Sequence, residues 1–232
     1  MNSTKILKAG HRGAAAYEPE NTLRGFSKAV ALGVDAIEFD VMLSKDHIPV
    51  VIHDETLERT TNGKGKVEDY TLQELKQLDA GKGERILTLE EALAFTKQHR
   101  IKAAVELKNK HVAEHVAQLI RKHQMPNDAL IISEHPEALK VVATAFTDLS
   151  TGLIFWNPIT DIQDFFRHAK ELAITWLCGE CSQITKQFVE HAHAAGFKVG
   201  VWVVNDAATA KTYAAMGVDA LISDKPDVLK GL

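Results

Sequence analysis

Short apolar runs alternate with amphipathic stretches along almost the whole chain. The strand-like runs fall at 5–10, 35–41, 48–53, 102–107, 129–133, 149–155, 172–177, 197–204 and 218–222. Between them, apolar residues recur at helical spacing near 21–32, 87–99, 110–123, 135–145, 160–169, 183–195, 206–215 and 225–231. A short apolar run bounded by turn residues suits a strand covered on both faces, and a period near 3.6 suits a helix with one face on a core. Strands and helices in alternation imply parallel pairing with crossover helices. About eight such units in 232 residues fit an α/β fold of the (β/α)8 TIM-barrel type better than a doubly wound sheet.

Two segments modify this picture. Gly33-Val-Asp-Ala-Ile37 and Gly217-Val-Asp-Ala-Leu221 nearly repeat, and Gly196-Phe-Lys-Val199 is a weaker third copy. Each sets a glycine where a helix should end and a strand begin, which is recurrent αβ-loop chemistry. Residues 55–85 break the alternation with Thr60-Thr-Asn-Gly-Lys-Gly65 and the leucines 72, 75 and 78. They read as a loop and short helix inserted on the barrel, and the glycines lack P-loop spacing. No Pro/Ser linker divides the chain, so residues 1–232 are expected to form one domain.

Composition excludes several classes. Hydrophobic residues make up 45% and charged residues 25%, which argues against disorder. A net charge of -4 gives no broad cationic footprint for nucleic acid. No stretch is long and apolar enough to span a membrane, and the first ten residues lack a signal-peptide core. Two cysteines do not make a disulfide scaffold, so a cytoplasmic enzyme-sized protein is expected. Oligomeric state is left open.

The chemistry concentrates at the ends of the strand-like runs. In Glu38-Phe-Asp40, alternation puts both carboxylates on one face of an apolar strand. Two like charges there need a divalent cation, basic partners or a solvated edge. Glu106-Leu-Lys108 repeats the logic, either as a third acid with an anion-binding lysine or as a simple ion pair. Three carboxylates suit a hard cation such as Mg²⁺ or Ca²⁺. His11-Arg12-Gly13 ends the first strand with an acid/base group and a planar cation for phosphate. His53-Asp54 ends another, with Asp54 placed to orient the histidine or cap a turn. Pro19-Glu-Asn-Thr22 opens a helix and suits capping. Cys178-Gly-Glu-Cys181 has redox-like spacing but reads as reduced, noncatalytic thiols. His111/His115 and His191/His193 read as helix-surface residues.

In order along the chain, His11-Arg12-Gly13, Pro19-Glu-Asn-Thr22, Glu38-x-Asp40, Asp46-x-x-Pro49-Val50, His53-Asp54 and Glu106-x-Lys108 resemble the glycerophosphodiester phosphodiesterase family. The resemblance continues through Leu57-Glu-Arg-Thr-Thr-Asn-Gly63, Trp202-Val-Val-Asn205 and Ser223-Asp-Lys-Pro226. It implies a (β/α)8 barrel that cleaves glycerophosphodiesters, small-molecule substrates, to sn-glycerol 3-phosphate and an alcohol. It also implies that Glu38, Asp40 and Glu106 ligate a divalent metal ion, Mg²⁺ or Ca²⁺, with Mn²⁺ a third candidate. His11 and His53 take the general base and acid roles, Arg12 and Lys108 bind phosphate, and Trp202 walls the glycerol pocket. One departure is Glu134, where the family commonly has Phe after the serine; it would alter the outer pocket. A phosphodiesterase of lysophospholipase D type, an enolase-type lyase and a non-catalytic glycerophosphodiester-binding protein are the alternatives.

Overall fold

The alternation in Ala36–Leu43 becomes a strand whose odd residues face outward. Ile37, Phe39 and Val41 are sealed against the helices, with the Phe39 ring 5.6 Å from that of Phe26. A computed structural model describes residues 5–232. Residues 1–4, part of the stretch in which no signal peptide is expected, lie outside the described residues. The elements run β1 (Leu7–His11), α1 (Leu23–Ala31), β2 (Ala36–Leu43), β3 (Pro49–Val51), α2 (Leu72–Leu75), β4 (Leu87–Thr88) and α3 (Leu89–His99). They continue with β5 (Lys102–Leu107), α4 (Ala113–Lys122), β6 (Ala129–Ser133), α5 (Pro136–Ala145), β7 (Ser150–Phe155) and α6 (Ile162–Glu171). The last are β8 (Trp176–Glu180), α7 (Lys186–Ala194), β9 (Lys198–Trp202), α8 (Ala207–Met216) and β10 (Ala220–Ser223).

Strands β1, β2, β5, β6, β7, β8, β9 and β10 pair in parallel, and β10 returns to β1 to close a TIM barrel. Closure pairs each barrel strand on both sides and sets β10 beside β1. The near-repeats act at the opposite end of the barrel from the motifs that carry the candidate site residues. Gly33 and Gly217 take φ of 86° and 87°, the left-handed region that ends a helix. Two residues on, Asp35 accepts from the Lys8 amide and Asp219 from the Val199 amide, pinning each new strand to its neighbour.

Three boundaries differ from the sequence pattern. The run at 48–53 is not a barrel strand: β3 pairs antiparallel with the far end of β2, and β4 pairs with β3. The excursion therefore starts before residue 55, and a small core of its own, including Val50, Leu57, Leu75 and Ile86, holds it together. The run at 172–177 becomes strand only from Trp176, because α6 continues to Glu171 and Ala173 turns at φ 52°. Ile174 is buried from within that turn, so burial there does not require strand backbone. The expected last helix is a single 3-10 turn at Pro226–Leu229. Among the described residues, no helix is long and apolar enough to cross a membrane.

Candidate active site

Register assembles the site at the C-terminal ends of the strands. His11 lies beside Glu38 across β1 and β2, and Asp40 lies beside Glu106 across β2 and β5. The turn after β1 is tight: a Cβ on Gly10 would sit 2.3 Å from the Gly13 carbonyl oxygen, and one on Gly13 would sit 2.7 Å from the Gly25 backbone. That turn aims the Arg12 amide at Glu38, where it donates to Oε2 at 3.0 Å. Asn21 donates to Asp40 Oδ2 at 2.9 Å, while Thr22 caps α1 by accepting from the Gly25 amide. Of the helix-opening residues, one thus serves the site and the next the helix.

Glu38 and Asp40 are almost wholly buried, which rules out the solvated edge. One oxygen of Glu38, Asp40 and Glu106 can be chosen so that all three lie within 4.8 Å of one another. Glu38 Oε1 and Asp40 Oδ1 are buried without a hydrogen-bond partner. A hard dication, bound by oxygen ligands, fits this set: it satisfies orphaned oxygens and offsets mutual repulsion. Without it, burial and the Asp40 charge push the Glu38 carboxyl up to about 8 and Glu106 up to about 7. Burial acts on Asp40 too, but Lys108 and then Arg12 outweigh it and hold that carboxyl below its ordinary value. Lys108 Nζ donates to Glu106 Oε1 at 2.6 Å and lies 3.5 Å from Asp40; Arg12 Nε lies 3.4 Å from Asp40.

Each histidine rests on a carboxylate. His11 Nδ1 is 2.6 Å from Asp224 Oδ1, and His53 Nδ1 is 2.6 Å from Asp54 Oδ1. With Nδ1 engaged, Nε2 is the nitrogen left for a ligand. Burial opposes the charged form of His11, but the Asp224 bond and the Glu38 charge outweigh it and raise its pKa. At His53, burial prevails over Asp40 and Asp54 and lowers the pKa. Asn205 donates to the other Asp224 oxygen at 2.7 Å. Arg59 binds both oxygens of Asp54 and both of Glu20, and Glu20 Oε1 accepts from Arg12 Nη1 at 3.0 Å.

His11, Arg12, Glu38, His53, Glu106, Lys108 and Trp202 all line one cavity of about 850 Å³; Asp40 is buried behind them. Trp202 donates from Nε1 to the Cys178 carbonyl and meets Trp156 edge-on, with ring centroids 6.4 Å apart. Phe155 and Trp156 divide: Phe155 packs in the core, whereas Trp156 lines the cavity. Glu134 lines it as well. Both cysteines are free, and burial pushes the Cys178 thiol up to about 12, leaving it unreactive at neutral pH. The amides of Gly63 and Gly65 bind Thr61 and Glu58, so that loop has no phosphate cradle there. Asp224, Asn205 and Arg59 stood in recognisable motifs without assigned roles. Asp224 lies 213 residues from His11, and only the β10–β1 pairing makes them neighbours.

Comparison with known proteins identifies the family and the fold. The model of the glycerophosphoryl diester phosphodiesterase family matches residues 11–228. The glycerophosphodiester phosphodiesterase of Caldanaerobacter subterraneus is 32% identical, over 98% of each chain. Glycerophosphodiester phosphodiesterase 1 of Homo sapiens is 28% identical over 87% of this chain and 72% of its own. An Oleispira antarctica phosphodiesterase, solved in complex with the product sn-glycerol-3-phosphate, superposes with a TM-score of 0.88 at 32% identity, over 97% of this chain and 96% of that one.

Proposed function

This chain belongs to the glycerophosphoryl diester phosphodiesterase family and is a glycerophosphodiester phosphodiesterase; from that membership and the site's geometry, we propose how it works and on what. It hydrolyses a glycerophosphodiester to sn-glycerol 3-phosphate and an alcohol. Glu38, Asp40 and Glu106 would hold a divalent cation, Mg²⁺, Ca²⁺ or Mn²⁺. Such a cation would supply Lewis acidity to the reacting phosphodiester. Arg12 and Lys108 bind the phosphate and offset the charge that develops on it. One histidine takes the proton of the nucleophile, either water or the substrate's own glycerol hydroxyl, and the other gives a proton to the departing alcohol.

His11 takes the base role and His53 the acid role. Without the cation, the Asp224 bond and the Glu38 charge raise the His11 pKa against its burial, whereas burial lowers that of His53. The Glu38 charge is one cause of the His11 rise, and neutralising it removes that cause. Asp224 and Asp54 hold the two rings in fixed tautomers. Trp202 walls the glycerol side of the pocket. One barrel domain spans the chain, and a cytoplasmic setting accords with two free thiols.

The observation that carries this reading is the placement of two histidine–carboxylate pairs around one carboxylate triad in a single cavity. The test is a coupled glycerol 3-phosphate assay on chelated protein, with a panel of diesters and metals. Release of glycerol 3-phosphate restored by one or more divalent ions is expected. No product with any pairing overturns the reading.

A further inference from the structure

The barrel is hollow. Inward-facing Ala104, Leu130, Trp176 and Ile222 remain partly accessible to solvent. Their outward neighbours Ala103, Ile131, Leu177 and Leu221 are at most 1% exposed. Barrels of this type are ordinarily filled by bulky branched side chains. This one sets Ala9, Ala36, Ala104, Gly200 and Ala220 at lining positions. The site cavity therefore continues past the acid triad to the opposite end, where Leu7, Lys102, Lys198 and Ala220 begin their strands.

Two lysines, Lys102 and Lys198, stand at that far rim, and Asp128 lines it beside them. Lys102 donates to the Asn127 carbonyl and pairs with Asp128 at 3.2 Å. Lys198 lies over the Trp176 ring, 5.2 Å from its centroid, and has no carboxylate partner among the described residues. An eight-stranded barrel has room for side chains or for one slender ligand. We propose that the interior binds a single unbranched hydrocarbon chain with an anionic end, a medium-chain carboxylic acid. Its chain lies between Ala36, Ala104, Ala220 and Trp176, and its carboxylate meets Lys198. Apolar walls give a chain its affinity, and the lysine gives it direction.

The whole protein, titrated with octanoate, decanoate and dodecanoate below their micelle concentrations, tests this by calorimetry and by tryptophan fluorescence, independently of turnover. Saturable binding should strengthen roughly fourfold per added methylene. Lys198→Glu should weaken it by about twofold to fivefold while leaving that step unchanged. A Cβ on Gly200 meets only ordinary contacts, 3.5 Å from Cys178 Sγ and 3.6 Å from Ile222, so Gly200→Leu projects into the hollow. It should abolish the dependence on chain length, and Ala104→Val is a second plug should the first not fold. Absence of saturable binding, or a chain-length step that survives both plugs, overturns the proposal. So does binding that sn-glycerol 3-phosphate displaces and Lys198→Glu leaves unchanged, because the chain would then enter from the other end.

Discussion

At the scale of single residues, the site depends on fixing two imidazoles. A free histidine near its ordinary pKa samples both tautomers, whereas one held at Nδ1 by a carboxylate presents a defined Nε2. Asp224 and Asp54 do this at 2.6 Å each. General acid/base groups contribute about 10²–10⁴-fold each, so His11→Ala and His53→Ala should each lower kcat by that range with thermal stability retained. Near wild-type turnover in either variant removes that residue from the mechanism. Asp224→Asn keeps the shape but loses the charge that helps to raise His11. Its expected result is a fall in kcat with KM little changed and a pH–rate limb moved to lower pH. A stability loss with an unmoved pH profile would make Asp224 merely structural.

At the scale of elements, the excursion that carries β3, α2 and β4 connects the two sides of the site. Arg59 lies on it, and its guanidinium is shared between Asp54, which holds His53, and Glu20, which holds Arg12. Bidentate pairing of this kind fixes geometry as well as charge, and lysine reproduces only the charge. Arg59→Lys should therefore lower kcat more than it raises KM, and Arg59→Gln should lower it further. Steady-state kinetics on a single diester decides this; equal kinetics for all three proteins would show that the clamp is idle. This element also marks where sequence reading stops. Alternation in 36–43 was enough to set Glu38 and Asp40 on one face, because strand geometry is local. The apolar run at 48–53 carried no mark of its antiparallel partner, and Arg59, 39 residues from Glu20, carried none of its clamp. Trp202 and Glu134 reach the same cavity only through the parallel order of the strands.

At the scale of the whole molecule, closure gathers residues from both ends of the chain around a group of carboxylates that folding leaves under strain of charge. Glu38 and Glu106, ordinary near 4.5, are pushed up to about 8 and about 7 by burial and by Asp40. The folded, metal-free protein thus binds more protons than the unfolded chain between those limits. Where the native state holds more protons, stability falls as pH rises. The contribution of these two groups is whole below about 4.5 and is lost as pH climbs through about 7 and 8. Chelated protein should therefore lose melting temperature between pH 5.5 and 8.5, and Glu38→Gln should flatten part of that slope. A cation that binds only the native fold stabilises it by mass action, by about 2.7 kcal/mol at a hundred times its Kd. Protons compete for the same oxygens, so its stabilising effect should be greater at pH 8.5 than at 5.5. Melting curves with chelator and with Mg²⁺, Ca²⁺ or Mn²⁺ at both pH values measure all of this. A metal-induced rise that Glu38→Gln retains in full would remove Glu38 from the ligand set. A pH slope that Glu38→Gln leaves unchanged would show that its carboxyl is not the strained group.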